Sequence, residues 1–134
     1  LTQLIKGHRK EGAKVTVLAT DVEDPTGYGR LVIDNQNQLQ CIREEADATE
    51  AEKMINKINT GIYCFNKNLL VTAIASIKPD NNQNEYYLTD VIAIAKKMKH
   101  KISVVSMNDP GQVIGVNTLD DLALAERLIH QPDR

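Results

Sequence analysis

Gly29, Glu44, Asn59 and Asn117 stand at the edges of expected strands, and their chemistry is that of ligand binding rather than nucleophilic attack. Gly29 follows Tyr28 where a strand begins. A glycine there lets the backbone approach a ligand and offers N–H and C=O groups to a base edge or a sugar hydroxyl; composition alone favours a plain turn glycine. Glu44 ends an expected hairpin, where a lone carboxylate can hold two hydroxyls or simply be solvated, and Glu45 beside it leaves that choice open. Asn59 shares one face of an apolar strand with Gly61. A carboxamide in that position must find partners, and a ligand role and a structural hydrogen bond are evenly matched. Asn117 follows Gly115-Val116 before the last expected helix, and its amide oxygen is a hard ligand suited to Mg²⁺ beside phosphate oxygens. A turn residue next to a helix cap is the plainer reading. The chain has no Gly-rich phosphate loop, no His-Glu-x-x-His helix and no nucleophile elbow. His8, His100 and His130 lie in polar stretches and read as surface histidines.

Those positions need a scaffold, and the apolar periodicity supplies one. Residues 1–10 carry Leu1, Leu4 and Ile5 at helical spacing, and Gly12 reads as the stop. Val15 to Ala19 is β-branched and apolar on both faces, which predicts a central buried strand needing a neighbour on each side. Asp24-Pro25-Thr26-Gly27 marks a turn into a hairpin with strands from Gly29 to Ile33 and from Leu39 to Glu44, joined by a turn at 35–38. Residues 47–57 read as a polar loop with a short helix, and Ile58 to Phe65 as a strand. Leu70, Ala73, Ile74 and Ile77 predict one helix face, and Leu88, Val91, Ile92 and Ala95 another. Ile102 to Met107 is a short strand. Thr118 with Asp121 resembles a capping box for a last helix buried through Leu119, Leu122, Ala125 and Ile129. The alternation predicts an α/β layer fold with a mixed sheet and flanking helices.

Composition narrows the function classes. Over 134 residues the charged fraction is 25% and the apolar fraction 42%, the balance of a packed globular chain. Net charge is −2 with no basic run, which argues against nucleic-acid binding. Cys41 and Cys64 share no metal-type spacing with a histidine and read as reduced core thiols. No apolar run approaches a membrane span, and Leu1 opens no signal peptide, so the expectation is a cytoplasmic protein whose start lies upstream.

In order along the chain stand Asp24-Pro25-Thr26-Gly27-Tyr28-Gly29-Arg30, Asp47-Ala48-Thr49-Glu50, Ile58-Asn59-Thr60-Gly61-Ile62-Tyr63, Glu85-Tyr86-Tyr87-Leu88-Thr89-Asp90 and Gly115-Val116-Asn117. Together they resemble the second half of the uridylyltransferase domain of the GlmU family, bifunctional enzymes that also carry a glucosamine-1-phosphate acetyltransferase. The resemblance covers essentially the whole chain. It implies that residues 1–134 are the C-terminal portion of a Rossmann-like nucleotidyltransferase domain, incomplete at its N-terminus. The implied reaction joins UTP and N-acetylglucosamine 1-phosphate into UDP-N-acetylglucosamine and pyrophosphate, with Mg²⁺ as cofactor. By the same resemblance Gly29 contacts the sugar nucleotide through its backbone, and Glu44 and Asn59 bind the sugar hydroxyls and N-acetyl region. Asn117 is a Mg²⁺ ligand, and Tyr86 and Tyr87 shape the sugar pocket. The family's phosphate loop and metal-binding Asp are expected upstream of Leu1, and its trimer-forming acetyltransferase β-helix beyond Arg134, so this chain alone is expected to turn over negligibly. Departures are a longer hairpin turn, Cys41 and Asn84 at positions where glycine is usual, and Arg43 beside Glu44. The alternatives are a relative using another base or sugar, and a non-catalytic sugar-nucleotide-binding or interaction module.

Overall fold

The computed structural model describes residues 1–109 together with residues 119, 122, 123, 126 and 127. Helix α1 (Thr2–Glu11) ends at Gly12 in the left-handed conformation. Strand β1 (Val15–Asp21) follows, then β2 (Arg30–Ile33), β3 (Leu39–Arg43), a 3-10 turn (Glu45–Asp47) and the single-turn helix α2 (Glu50–Lys53). Strand β4 (Lys57–Phe65), helix α3 (Lys67–Ile74), helix α4 (Asp90–Lys97) and strand β5 (Ile102–Met107) complete the described elements.

The strands form one mixed sheet in the order β3-β2-β4-β1-β5. Strand β1 lies parallel to β5 on one side and antiparallel to β4 on the other. Every residue from Val15 to Thr20 is buried, so the apolar run does sit centrally with both edges paired. Its alternate residues go to different layers. Val15, Val17 and Ala19 join Leu31, Leu39, Ile42, Leu69, Ile92 and Ala95 in the main core. Thr16 and Thr20 are fully buried polar groups and each is satisfied. The Thr16 hydroxyl bonds His8 Nδ1 (2.7 Å) and Ser103 Oγ (3.0 Å), and Thr20 donates to the Met107 carbonyl at 2.9 Å.

The β2–β3 hairpin is attached to the sheet at one point. Arg30 pairs with Ile58 of β4, and the Asn59 N–H donates to the Gly29 carbonyl at 2.8 Å. The hairpin register shifts between Val32 and Ile33, next to the turn. In that turn the Asp34 carboxylate accepts from the Gln36 and Gln38 N–H groups, each at 2.9 Å.

Several sequence expectations are corrected. Helix α3 buries Leu69 and Ala73, whereas Ile74 is exposed. The Asn66 side chain accepts from the Leu69 N–H and caps the helix, which ends at Ile74, so Ile77 lies beyond it. Leu88 precedes α4 and is exposed, while Val91, Ile92 and Ala95 do turn inward. His8 is half-buried against β1 rather than a surface residue, and Cys41 and Cys64 are half-buried free thiols rather than core ones. Leu119 and Leu122 are helical but exposed. Thr118, Asp121, Ala125, Ile129 and Asn117 lie outside the described residues. Among the described residues no helix is long and apolar enough to cross a membrane.

The inward face of α3 is open to measurement. Leu69→Ala is expected to cost about 2–5 kcal/mol in urea denaturation, and Ile74→Ala about 0.5 kcal/mol. Equal costs would mean the helix does not pack on that face.

Candidate functional site

Three chain segments far apart in sequence meet where the hairpin joins β4. Gly29 is buried in the turn entering β2. Strand β3 ends at Arg43, so Glu44 leaves the ladder in extended conformation and leads into the 3-10 turn. A Cβ on Gly29 would sit 3.4 Å from both carboxylate oxygens of Glu44 and 3.0 Å from Ile42 Cγ2. Glu44 therefore packs against Gly29, and it is Ile42 that a side chain at this position would crowd. Asn59 is held to the same turn by its backbone bond to Gly29. Its side chain is turned by the local shape of β4. Gly61 has φ 82°, a conformation costly for any other residue, and the β1–β4 register shifts beside it. In consequence Asn59 Oδ1 accepts from the Gly61 N–H at 2.9 Å, and its Nδ2 donates to the Tyr63 hydroxyl at 2.8 Å.

Glu44 opens onto a cleft of about 120 Å³ lined by Ile42, Arg43, Glu44, Asp47, Asp80, Asn81, Tyr87 and Asp90. The loop before α4 forms its far wall. Asn82 donates its N–H to Asp47 Oδ1 (2.8 Å) and its Nδ2 to the Ala46 carbonyl (2.6 Å), while the Tyr87 hydroxyl donates to Gln83 Oε1 (2.6 Å). Of the two tyrosines singled out by sequence, Tyr87 lines the cleft; Tyr86 is 72% exposed and is not part of the lining.

Charge in the cleft is predominantly negative. Burial pushes the Glu44 carboxyl above its ordinary value, the Thr89 hydroxyl pulls it back, and the Asp47 and Asp90 charges add to the rise. Asp90 is raised by burial and by Asp47, against the opposing pull of Arg43. Tyr63 is pushed up to about 12, chiefly by burial, so its hydroxyl keeps its proton at neutral pH. Among the described residues no group of three or more His, Cys, Asp or Glu side chains offers a metal site. A larger groove of about 460 Å³ lies between the hairpin tip and β5 and contains none of the predicted site residues. Two of its lysines are already engaged, Lys57 by Asp21 and Lys101 by Glu11. Its size is therefore a poorer guide to chemistry than the smaller cleft's convergent carboxylates.

Two residues of this site went unread as site residues in the sequence. Thr89 is the N-cap of α4 but makes no capping bond; it donates instead to Glu44 Oε1 at 3.0 Å, across 45 positions. Forgoing a cap costs about 1 kcal/mol, so the hydroxyl is held by the carboxylate. Its signal lay in the Leu88-Thr89-Asp90 stretch, a cap residue before a helix. Tyr63 lies four positions from Asn59, the same-face spacing of a strand, which was the available clue.

Residues 1–127 match the family model described as nucleotidyl transferase. The bifunctional protein GlmU of Oceanobacillus iheyensis is 43% identical over 127 residues, covering 95% of this chain and 28% of that protein. The GlmU of Listeria welshimeri is 45% identical over 123 residues, 92% of this chain and 26% of that protein. The chain thus spans about a quarter of the length of these curated relatives. A Bacillus anthracis protein described as a glucose-1-phosphate thymidylyltransferase, solved with sucrose, superposes with a TM-score of 0.66 at 22% identity. The match covers 97% of this chain and 49% of that one, a likeness of fold.

The cleft's electrostatics give a stability test. The folded-state pKa of Glu44 is raised, so its contribution is most favourable below the ordinary value of 4.5 and is lost as pH rises through the raised one. Glu44→Gln is therefore expected to raise the Tm at neutral pH, with the gain vanishing in acid. A Tm unchanged at every pH would show that the carboxylate is solvated.

Proposed function

The chain belongs to the nucleotidyl transferase family, and we propose that it is the C-terminal portion of a domain that makes UDP-N-acetylglucosamine and pyrophosphate from UTP and N-acetylglucosamine 1-phosphate. The observation that carries the reading is an acidic cleft lined by Glu44 and Tyr87, with Gly29 packed against Glu44 and bonded through its carbonyl to the Asn59 backbone. Carboxylates in that number repel phosphates but accept hydrogen bonds from neutral hydroxyls, so the cleft suits the sugar end of a sugar phosphate. Glu44 would accept from ring hydroxyls. The Asn59 carboxamide, oriented by Tyr63 and Gly61, would pair with the N-acetyl amide.

Phosphoryl transfer of this kind works by positioning and charge neutralisation. A divalent metal supplies the neutralisation when bound, and we infer Mg²⁺ with Asn117 among its ligands. This chain's described residues contribute the sugar's orientation. With no Gly-rich phosphate loop in its sequence, the chain alone is proposed to bind sugar nucleotide without turnover. A cytoplasmic, trimeric parent enzyme feeding cell-wall synthesis is the wider setting of the proposal, and it rests on the resemblance to the GlmU family.

The test is pyrophosphate release by the full-length protein from UTP and N-acetylglucosamine 1-phosphate. Glu44→Gln and Asn59→Ala should each raise the KM for the sugar phosphate by about 10- to 100-fold, the worth of one hydrogen bond to a charged or buried group. The KM for UTP should stay level. Asn117→Ala should raise the metal concentration needed for half-maximal rate. Preference for dTTP or glucose 1-phosphate would point to a relative of different specificity, and binding without turnover by the full-length protein would favour a non-catalytic module.

A further inference from the structure

Arg30 is the largest fully buried side chain of the described residues, and its contacts converge on the segment that carries Glu44. Its Nη1 donates to the Tyr28 carbonyl at 2.7 Å and is paired with the Glu45 carboxylate. Its Nη2 donates to the Lys53 carbonyl at 3.3 Å. One guanidinium therefore joins the turn before Gly29, the 3-10 turn that starts beside Glu44, and the C-terminal end of α2. The last contact also places positive charge at a helix C-terminus, where free carbonyls favour it.

The residue on the other side of Glu44 is anchored to the same helix. Arg43 Nε donates to Glu52 Oε2 at 3.2 Å, and Glu52 in turn accepts from the Thr49 N–H at 2.9 Å in a capping box. Glu44 thus lies between two ion-paired neighbours, both tied to the α2 segment, while its own carboxylate faces Thr89 and the cleft. Arg30 Nε is the only buried side-chain nitrogen or oxygen among the described residues without a hydrogen-bond partner. A buried arginine with an unmet N–H is costly, and a well-packed apolar side chain would serve stability as well. What the planar fork supplies and a lysine cannot is simultaneous, directional contact with separate segments.

We propose that Arg30 is the positioning residue of the sugar pocket, fixing the 44–53 segment so that the Glu44 carboxylate meets its ligand. The inference rests on the reading of Glu44 as a sugar ligand, and it concerns a residue that touches neither substrate nor metal. Displacement of a positioned group by about 1 Å can cost up to 100-fold, so the effect of loosening this anchor should be visible in substrate affinity before it is visible in folding.

The experiment compares Arg30→Lys and Glu45→Gln in the full-length protein, reading steady-state kinetics and hydrogen exchange by mass spectrometry. Both variants should raise the KM for N-acetylglucosamine 1-phosphate by about tenfold while leaving the KM for UTP level, and exchange should quicken across residues 44–54 but not across β1. A purely structural role would lower the active fraction, reducing kcat with both KM values unchanged, and would overturn the proposal. So would wild-type exchange across 44–54 in either folded variant. If Arg30→Lys fails to fold, Glu45→Gln carries the same comparison. If the unsubstituted protein does not use N-acetylglucosamine 1-phosphate, the functional reading fails, and the exchange result alone decides whether Arg30 holds the segment.

Discussion

A strand buried on both faces leaves none of its backbone groups to water, so each must be paired along both edges. Strand β1 imposes that demand here. It is met by parallel β5 on one side and antiparallel β4 on the other, and those pairings place β4 where the hairpin can join it. The bulge opposite Val17–Ala19 and the left-handed Gly61 then turn the Asn59 side chain toward Tyr63. The site is consequently a product of the sheet's central pairing: Asn59 comes from β4, Gly29 from the hairpin's root, and Glu44 from its exit.

The charge distribution gives this arrangement a direction. Burial raises the proton affinity of Glu44 and Asp90, the Asp47 charge adds to both, and Tyr63 stays a neutral phenol. A phosphate would be repelled from such a place, whereas hydroxyls and amides find acceptors and donors. On the proposed function, the described cleft suits the sugar end of the substrate, with the phosphate end bound elsewhere. That division of labour fits a reaction whose catalysis is mostly orientation.

Much of the fold was legible because it depends on period and punctuation. The doubly apolar run of β1, the Asp24-Pro25-Thr26-Gly27 turn and the face of α4 all carried their signals locally. Helix α3 did so only in part, because it runs just from the Asn66 cap to Ile74, which leaves Ile77 outside it, and it buries Leu69 with Ala73. The site was legible in part. Gly29, Glu44, Asn59 and Tyr87 entered as candidates through the family resemblance, since type and position alone left Gly29 a turn residue, Glu44 open to solvent and Asn59 evenly balanced. Thr89, Tyr63 and Arg30 work through partners 45, 4 and 15 residues away, and composition gives no sign of a hydroxyl turned from its cap or an arginine turned into the core. His8 was misread for the same reason, since its partner Thr16 lies on a strand whose inward face only the fold defines.

The most direct measurement is of intermolecular nuclear Overhauser contacts between bound UDP-N-acetylglucosamine and the full-length protein labelled at asparagine, glutamate and tyrosine. The account predicts contacts from the sugar-ring and N-acetyl protons to Glu44, Asn59 and Tyr63. Sugar contacts confined to the groove of Lys57, Lys101 and Ser106, with none at Glu44 or Asn59, would contradict it.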